Sequence, residues 1–265
     1  MSKFHILFLS SITITAILII SNYLYPYNTF YPILIILSLF ITAIYFYGVF
    51  EPGNSLFVKT IKGKTFFDAE QGVLLRFDDG PDPIYTPQIL DILKENNVQA
   101  MFAVTGENSL KHPDIVTRIY KENHLLANHS YSHSYLISLF SRKKLYNDIQ
   151  KCNKIIEEIT GQKVKYYCSP MGHKSLALRK VLIRLGMELL AWDIRSYDTQ
   201  KSEDDIIKII CSKVKERHII LFHDGIFKWT KNDREATINA LKEVIIQLNK
   251  RNLLKPLSVE KSYLY

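Results

Sequence analysis

The sequence predicts an α/β fold, a parallel sheet with crossover helices, preceded by two apolar membrane segments. Three observations predict it. Residues 1–50 hold one lysine, one histidine and no acid. After residue 50, short apolar runs alternate with helical patterns about six times, as repeated strand–helix units require. The side chains able to do chemistry fall just after the apolar runs, where an open sheet or a closed barrel places its site. The composition agrees. The 265 residues carry a net charge of +8, with 47% hydrophobic and 23% charged residues. That is globular composition and excludes a disordered, collagen-like or coiled-coil chain. Three cysteines, none in a CxxC pair, exclude a disulfide framework and a cysteine-rich zinc site.

From Ile6 to Phe50 no side chain is charged. The run breaks near Ser21-Asn22-Tyr23 and Tyr25-Pro26-Tyr27-Asn28, leaving apolar segments over 4–20 and 31–50. Each approaches the roughly 20 residues that a spanning helix needs. The tyrosines between and after them suit the headgroup level. Residues 1–50 therefore read as a membrane hairpin of two transmembrane helices. The alternative for the first segment is a cleaved signal peptide with Lys3 as its charged start, but no clear small-x-small cleavage site follows it. Two spans put both chain ends on one side. Lys3 flanks one end, and Lys59, Lys62 and Lys64 the other, so positive flanks favour an inner-membrane, multi-pass protein with a cytoplasmic C-terminal part. Free thiols at Cys152, Cys168 and Cys211 agree with that compartment.

Residues 51–69 read as a juxtamembrane linker, opened by the break at Glu51-Pro-Gly-Asn54. Residues 70–265 read as one domain. Its candidate strands are Val73–Phe77, Ala100–Val104, Leu125–Asn128, Lys165–Cys168, Glu188–Asp193 and His218–Phe222. Thr86-Pro87 predicts a helix start, with Ile89, Leu90 and Leu93 on one face. Leu145, Ile149, Cys152, Ile156 and Ile159 keep steps of three and four, and Gly161 closes that helix. Val181, Leu182 and Leu185 precede Gly186, and Ile238, Leu241, Ile245 and Leu248 make a further apolar stripe.

Asp78-Asp79-Gly80-Pro81 follows the first strand, and His129 and His133 follow the third. Pro170-Met171-Gly172 follows the fourth, Asp198 lies past the fifth, and His223-Asp224-Gly225 follows the sixth. A lone Asp-Asp-Gly-Pro is ordinarily a turn, and a lone His-x-x-x-His two helix-surface histidines. Convergence of both at strand ends points instead to a metal site. His129, His133 and the natural third ligand Asp79 make a three-ligand set with an open position. Zinc is the default for such nitrogen and oxygen donors, and Co2+, Mn2+ or Ni2+ also fit. Asp78 then stands where a general base is needed, and His223 where a general acid is needed. His5, His112, His124, His173 and His218 lack such company. No glycine-rich phosphate loop and no nucleic-acid motif is present.

These residues together resemble the polysaccharide deacetylase family (the NodB-homology domain, carbohydrate esterase family 4) over about residues 70–260. The family's T-F-D-D-G-P motif reads Arg76-Phe77-Asp78-Asp79-Gly80-Pro81, H-S/T-x-x-H reads His129-Ser130-Tyr131-Ser132-His133, and L-x-H reads Leu221-Phe222-His223. The resemblance implies a distorted (β/α)7-type barrel and removal of acyl groups from sugars with a divalent metal. It implies Asp78 as base, Asp79, His129 and His133 as ligands, and His223 as acid. It also implies a Met171 N–H at the oxyanion and Leu221 beside the acyl methyl.

Two motifs depart. R-x-P-x-G reads Cys168-Ser169-Pro170-Met171-Gly172, so the arginine that would orient the base is absent. D-S-x-D-W reads Arg195-Ser196-Tyr197-Asp198-Thr199. Asp198 remains to hold His223, a threonine replaces the indole, and Arg195 is expected to supply the charge lost at position 168. The function expected is a metal-dependent deacetylase of an amino sugar in an envelope or lipid-linked glycan, with membrane lipid as the second partner. The alternatives are a metal-dependent O-acyl esterase and a catalytically weak, membrane-anchored glycan-binding protein.

Overall fold

The computed structural model describes residues 3–26, 30–67, 72–226 and 233–255. The boundary expected at 69–70 and the last ten residues of the expected domain lie outside the described residues. The apolar segments form α1 (Lys3–Leu24) and α2 (Phe30–Phe50). Helix α1 continues through Ser21–Tyr23, where a break was expected. Serine, asparagine and tyrosine are only weakly unfavourable in a helix, and the breaker Pro26 comes later. The two helices lie antiparallel, with Ser11 Oγ 3.0 Å from Thr42 Oγ1 and Thr15 Oγ1 2.6 Å from Ser38 Oγ. Such pairs satisfy hydroxyls between packed helices. Among the described residues one helix, α2, is long and apolar enough to cross a membrane, with a mean hydropathy of 2.4.

The expected linker is not a free tether. It contributes β1 (Thr60–Ile61) and α3 (Gly63–Phe66) to the domain. Then follow β2 (Val73–Asp78), α4 (Tyr85–Glu95), β3 (Met101–Val104), α5 (Gly106–Lys111), α6 (Pro113–Lys121), β4 (Leu125–Asn128) and α7 (Arg142–Thr160). The remainder is β5 (Tyr166–Tyr167), α8 (Leu178–Leu185), β6 (Glu188–Leu190), β7 (Ile194–Arg195), α9 (Glu203–Lys213), β8 (His218–His223) and α10 (Glu235–Lys250). The eight strands form one sheet in the order β1-β6-β5-β4-β3-β2-β8-β7. Every pair is parallel.

That order requires curvature. Strands β6 and β7 lie near opposite ends of the sheet, yet only Ala191, Trp192 and Asp193 separate them. Six strand spacings in a flat sheet cover about 29 Å, whereas four residue steps reach at most about 14 Å. The sheet therefore curls until its ends meet at residues 188–195, a distorted barrel. The single strand expected over Glu188–Asp193 ends at Leu190, where it pairs with β5 and β1, and the strand that pairs with β8 starts only at Ile194.

Strand alternation separates two apolar layers. Phe77, Phe102 and Phe222 face the helices and stack across adjacent strands at 5.1 and 5.6 Å. Leu74, Met101, Ala127, Cys168, Leu190 and Ile219 fill the inside. Helix ends follow local chemistry. Ser141 and Ser202 accept backbone N–H groups at the starts of α7 and α9, and Gly161 and Gly186 end α7 and α8 at φ 71° and 66°. Thr86 is not a cap. It lies inside α4, whose first N–H groups, of Ile84 and Tyr85, go to Asp82 Oδ1, while the Thr86 hydroxyl donates to Asp224 Oδ2 at 2.6 Å.

Candidate active site

The inward-facing residues of β2 are Leu74, Arg76 and Asp78, one above the other, and Asp79 begins the loop beyond. Asp79 has φ 78°, a left-handed conformation uncommon for a side chain other than glycine. Its backbone oxygen accepts from Asn108 Nδ2 at 2.9 Å. His129 follows β4, and the loop after it is not a helix. The Asn128 side chain accepts from Ser130 N at 2.7 Å, and Ser130 Oγ accepts from His133 N at 2.8 Å. These short bonds fold the chain back with φ 69° at Ser130 and 44° at His133. Sparsely populated backbone conformations at Asp79, Ser130 and His133 mark a site whose side-chain directions are imposed by the surroundings.

The outcome is convergence. Asp79 Oδ1 lies 3.2 Å from His129 Nε2 and 3.0 Å from His133 Nε2. One donor atom from each residue lies within 4.8 Å of the others, and all three residues are buried. His129 Nδ1 is 2.8 Å from the Cys168 carbonyl oxygen. That carbonyl can only accept, so the proton sits on Nδ1 and the Nε2 lone pair points at Asp79. Two imidazole nitrogens and one carboxylate oxygen, with the His129 ring held by a bond on its far side, fit a divalent cation.

Asp78 stands beside this cluster, its Oδ2 3.7 Å from His129 Nε2. Both its oxygens are taken by Arg76, with Nε to Oδ1 at 2.7 Å and an Nη2 to Oδ2 contact at 2.6 Å. The remaining Nη1 donates to the Leu190 carbonyl at 3.1 Å, and the guanidinium lies 5.5 Å from the Trp192 ring. Arg76 is fully buried. This corrects the expectation for Arg195. That residue is exposed, and its guanidinium lies 5.1 Å over the Tyr197 ring. A carboxylate already gripped by a two-pronged guanidinium needs no second arginine. The arginine missing at position 168 is thus replaced from β2. Cys168, also inside the barrel, is small enough to leave the guanidinium its space. Its thiol lies outside the Asp79, His129 and His133 group, and burial pushes its pKa up to about 12.

His223 and Asp198 form a second pair. His223 Nδ1 is 2.8 Å from Asp198 Oδ1, and the His223 backbone N–H donates to Asp198 Oδ2 at 2.8 Å. Ser196 Oγ and Thr237 Oγ1 donate to the same carboxylate at 2.8 and 3.0 Å. Burial works to lower the His223 pKa, but the Asp198 charge and hydrogen bond, with the charges of Asp79 and Asp78, raise it to about 9. Leu221 lies two residues before His223 on the inner face, paired with Arg76 in register. Met171 sits in a short 3-10 turn, Pro170–Gly172, with φ 55°.

Sequence reasoning passed over three residues here. Asp224 accepts from Gly80 N at 3.2 Å as well as from Thr86, and so ties the β8 loop to the Asp79 loop. Buried Arg234 donates twice to the Gly225 carbonyl, at 3.0 and 2.8 Å. Trp192 packs against Gly172 and Arg76. Only the Asp after His223 was visible in a motif; the others carry no local signal.

Titration of the purified chain with Zn2+ should saturate at one ion per chain by calorimetry. His129→Ala/His133→Ala should abolish that binding, while Arg76→Ala and Arg195→Ala should retain it.

Comparison with known proteins agrees with this geometry. The polysaccharide deacetylase family model matches residues 68–190. A peptidoglycan-N-acetylglucosamine deacetylase of Bacillus cereus is 32% identical over 186 residues, covering 69% of this chain and 84% of the relative. The crystal structure of a peptidoglycan N-acetylglucosamine deacetylase in complex with 4-naphthalen-1-yl-N-oxidanyl-benzamide superposes with a TM-score of 0.64 at 31% identity, covering 69% of this chain and 87% of that one. A mutant of a Bacillus anthracis carbohydrate esterase family 4 pseudoenzyme, with restored enzymatic activity, gives a TM-score of 0.62 at 26% identity. The match spans 69% of this chain and 64% of that structure's length. The shared fold, the convergent Asp79, His129 and His133, and the extent of the match to the Bacillus cereus protein lead to one conclusion: this chain belongs to the polysaccharide deacetylase family.

Proposed function

We propose that the protein is a membrane-anchored hydrolase of carbon–nitrogen bonds that removes the N-acetyl group of an amino sugar in an envelope or lipid-linked glycan. One observation carries this reading. Asp79, His129 and His133 converge on a point flanked by Asp78, held by Arg76, and by His223, held by Asp198. Residues 1–50 would be the membrane hairpin, 51–69 the connection, and 70–265 the catalytic domain. The substrate class follows from relatives that deacetylate peptidoglycan N-acetylglucosamine and chitooligosaccharides.

Asp79, His129 and His133 would hold the cation, zinc by its donor set, with Co2+, Mn2+ and Ni2+ as fits of the same kind. When bound, such an ion polarises an acyl carbonyl and makes water more acidic. The chain's own groups do the rest. Asp78 accepts the proton of the attacking water, its carboxylate aimed by the Arg76 fork. Leu221 borders the acyl methyl. The Met171 N–H donates to the oxygen that gains charge as the carbonyl carbon becomes tetrahedral. His223, protonated on both nitrogens, gives its Nε2 proton to the departing amine while Asp198 keeps the Nδ1 proton. An amino sugar and acetate leave. A binding protein without turnover was suggested by the cysteine at position 168, but the base has its arginine from another strand. Arg195 plays no part.

The experiment is amine release from N-acetylchitooligosaccharide by the full chain in detergent. Asp78→Asn should abolish release with metal content unchanged. Arg76→Ala should lower kcat/KM roughly 100-fold, as for a misplaced reacting group. Arg76→Thr/Cys168→Arg should recover most of it, and Arg195→Ala should leave it unchanged. Release of no acyl group by the wild type would overturn the proposal.

The pH profile gives a second check. His223 works as acid only while protonated, so kcat/KM should hold below about pH 9 and fall above it. Asp198→Asn removes the charge that raises the His223 pKa, so that limb should move to lower pH. For placement, the basic flank of Lys59, Lys62 and Lys64 supports a cytoplasmic domain. Alkaline phosphatase fused after residue 265 should then be inactive in cells, and activity would reverse the assignment.

A further inference from the structure

We propose that the mouth of the barrel rests on the bilayer and draws its N-acylated amino sugar from a glycan carried on a membrane lipid. The inference rests on the deacetylase reading and narrows its substrate. It begins where α2 ends. The Lys174 N–H donates to the Val49 carbonyl at 2.9 Å. The Phe50 ring meets His173 edge-on at 4.8 Å, and Pro52 packs on Gly172, where an added Cβ would come within 2.6 Å of it. The Lys174 ammonium is 1% exposed and donates to the Asn54 carbonyl at 2.6 Å. Gly172, His173 and Lys174 belong to the loop after β5, whose Cys168 carbonyl orients His129. The helix able to cross a membrane thus ends on the loop that fixes a candidate ligand, with no spacer between them.

The rim continues that surface. Leu56 is 52% exposed beside the last turn of α2. Ile84, Leu136, Leu139, Leu176 and Ile226 are 60%, 61%, 36%, 40% and 38% exposed. Each lies on a segment beyond the C-terminal end of a strand, around the barrel mouth. Large exposed apolar side chains elsewhere in the domain, such as Ile183 and Ile246, stand singly on outer helices. Single exposed apolar residues need no account, but a set on one face, continuous with a membrane helix, marks an interaction surface. Lipid is the occupant that continuity selects. A mouth held there meets sugars only a short way above the headgroups, which suits a lipid-borne saccharide and not a distant polymer.

Two measurements test this on the full chain in vesicles of phosphatidylcholine and phosphatidylglycerol. In a Cys211→Ser background, spin labels at Leu136→Cys and Leu176→Cys should be more accessible to oxygen than to a water-soluble nickel chelate. A label at Ile183→Cys should show the reverse. The same water-like ratio at all three positions would overturn the proposal, whatever the enzyme's activity. In the second measurement, Leu136→Ser/Leu176→Ser should lower kcat/KM about tenfold on a bilayer-resident N-acetylglucosaminyl lipid, through lost apolar burial. Its kcat/KM on soluble N-acetylchitooligosaccharide should stay unchanged. Equal effects on both substrates, or none on either, would overturn the lipid-borne substrate. If the wild type releases amine from neither substrate, the deacetylase reading fails and the lipid-borne substrate fails with it, while the spin labels still decide whether the rim meets lipid.

Discussion

A guanidinium stripped of water in the middle of a barrel is costly, and Arg76 is such a group. Taking an isolated charge into the interior costs several kcal/mol even after relaxation. Arg76 survives there because Asp78 meets it with both oxygens and the Leu190 carbonyl takes a third donor. The exchange works both ways. The same fork fixes the direction of the Asp78 carboxylate. The pair also links strands, since Asp78 and Arg76 belong to β2 while Leu190 ends β6 on the far side of the interior. The candidate base, the closing segment and the inside packing are thus one construction. A small thiol at position 168 belongs to it, because an arginine there would compete for the same space and the same carboxylate.

Around that pair the fold gathers its reactive groups by a simple rule. All eight strands run the same way, so every β–α loop opens on one face. Asp79, His129, Met171, Asp198 and His223 are far apart in sequence but each lies at or just past the end of a strand. Precision comes from the shell behind them. Cys168 sets the His129 tautomer, Ser130 positions the His133 backbone, and Ser196 and Thr237 anchor Asp198. Left-handed backbone at Asp79, Ser130, His133 and Met171 shows where the chain gives up local comfort for side-chain direction.

Much of this was legible in the residues. Strands β2, β3, β4 and β8 announce themselves as apolar runs, because both faces of a parallel strand are covered. Gly161 and Gly186 mark helix ends because a left-handed residue is cheap only without a side chain. The ligand triad stood out as a motif. Less legible was β1, two residues long and stable only by pairing with β6. Thr86 resembles a cap in sequence, yet its hydroxyl answers to Asp224, 138 residues away.

The amino-acid sequence by itself determined the alternation of strand and helix, the apolar hairpin, and the motifs whose side chains converge at the site. Those depend on periodicity and on motifs confined to a few neighbouring residues. Only the tertiary structure decided which arginine serves Asp78. Arg76 and Arg195 are equally charged and equally near a motif. What separates them is that one side chain reaches the carboxylate inside a dry interior while the other lies over Tyr197 at the surface. Likewise, only the packed chain could bring the end of α2 onto the Pro170 loop. Both outcomes depend on distances between residues remote in sequence, which no local pattern encodes.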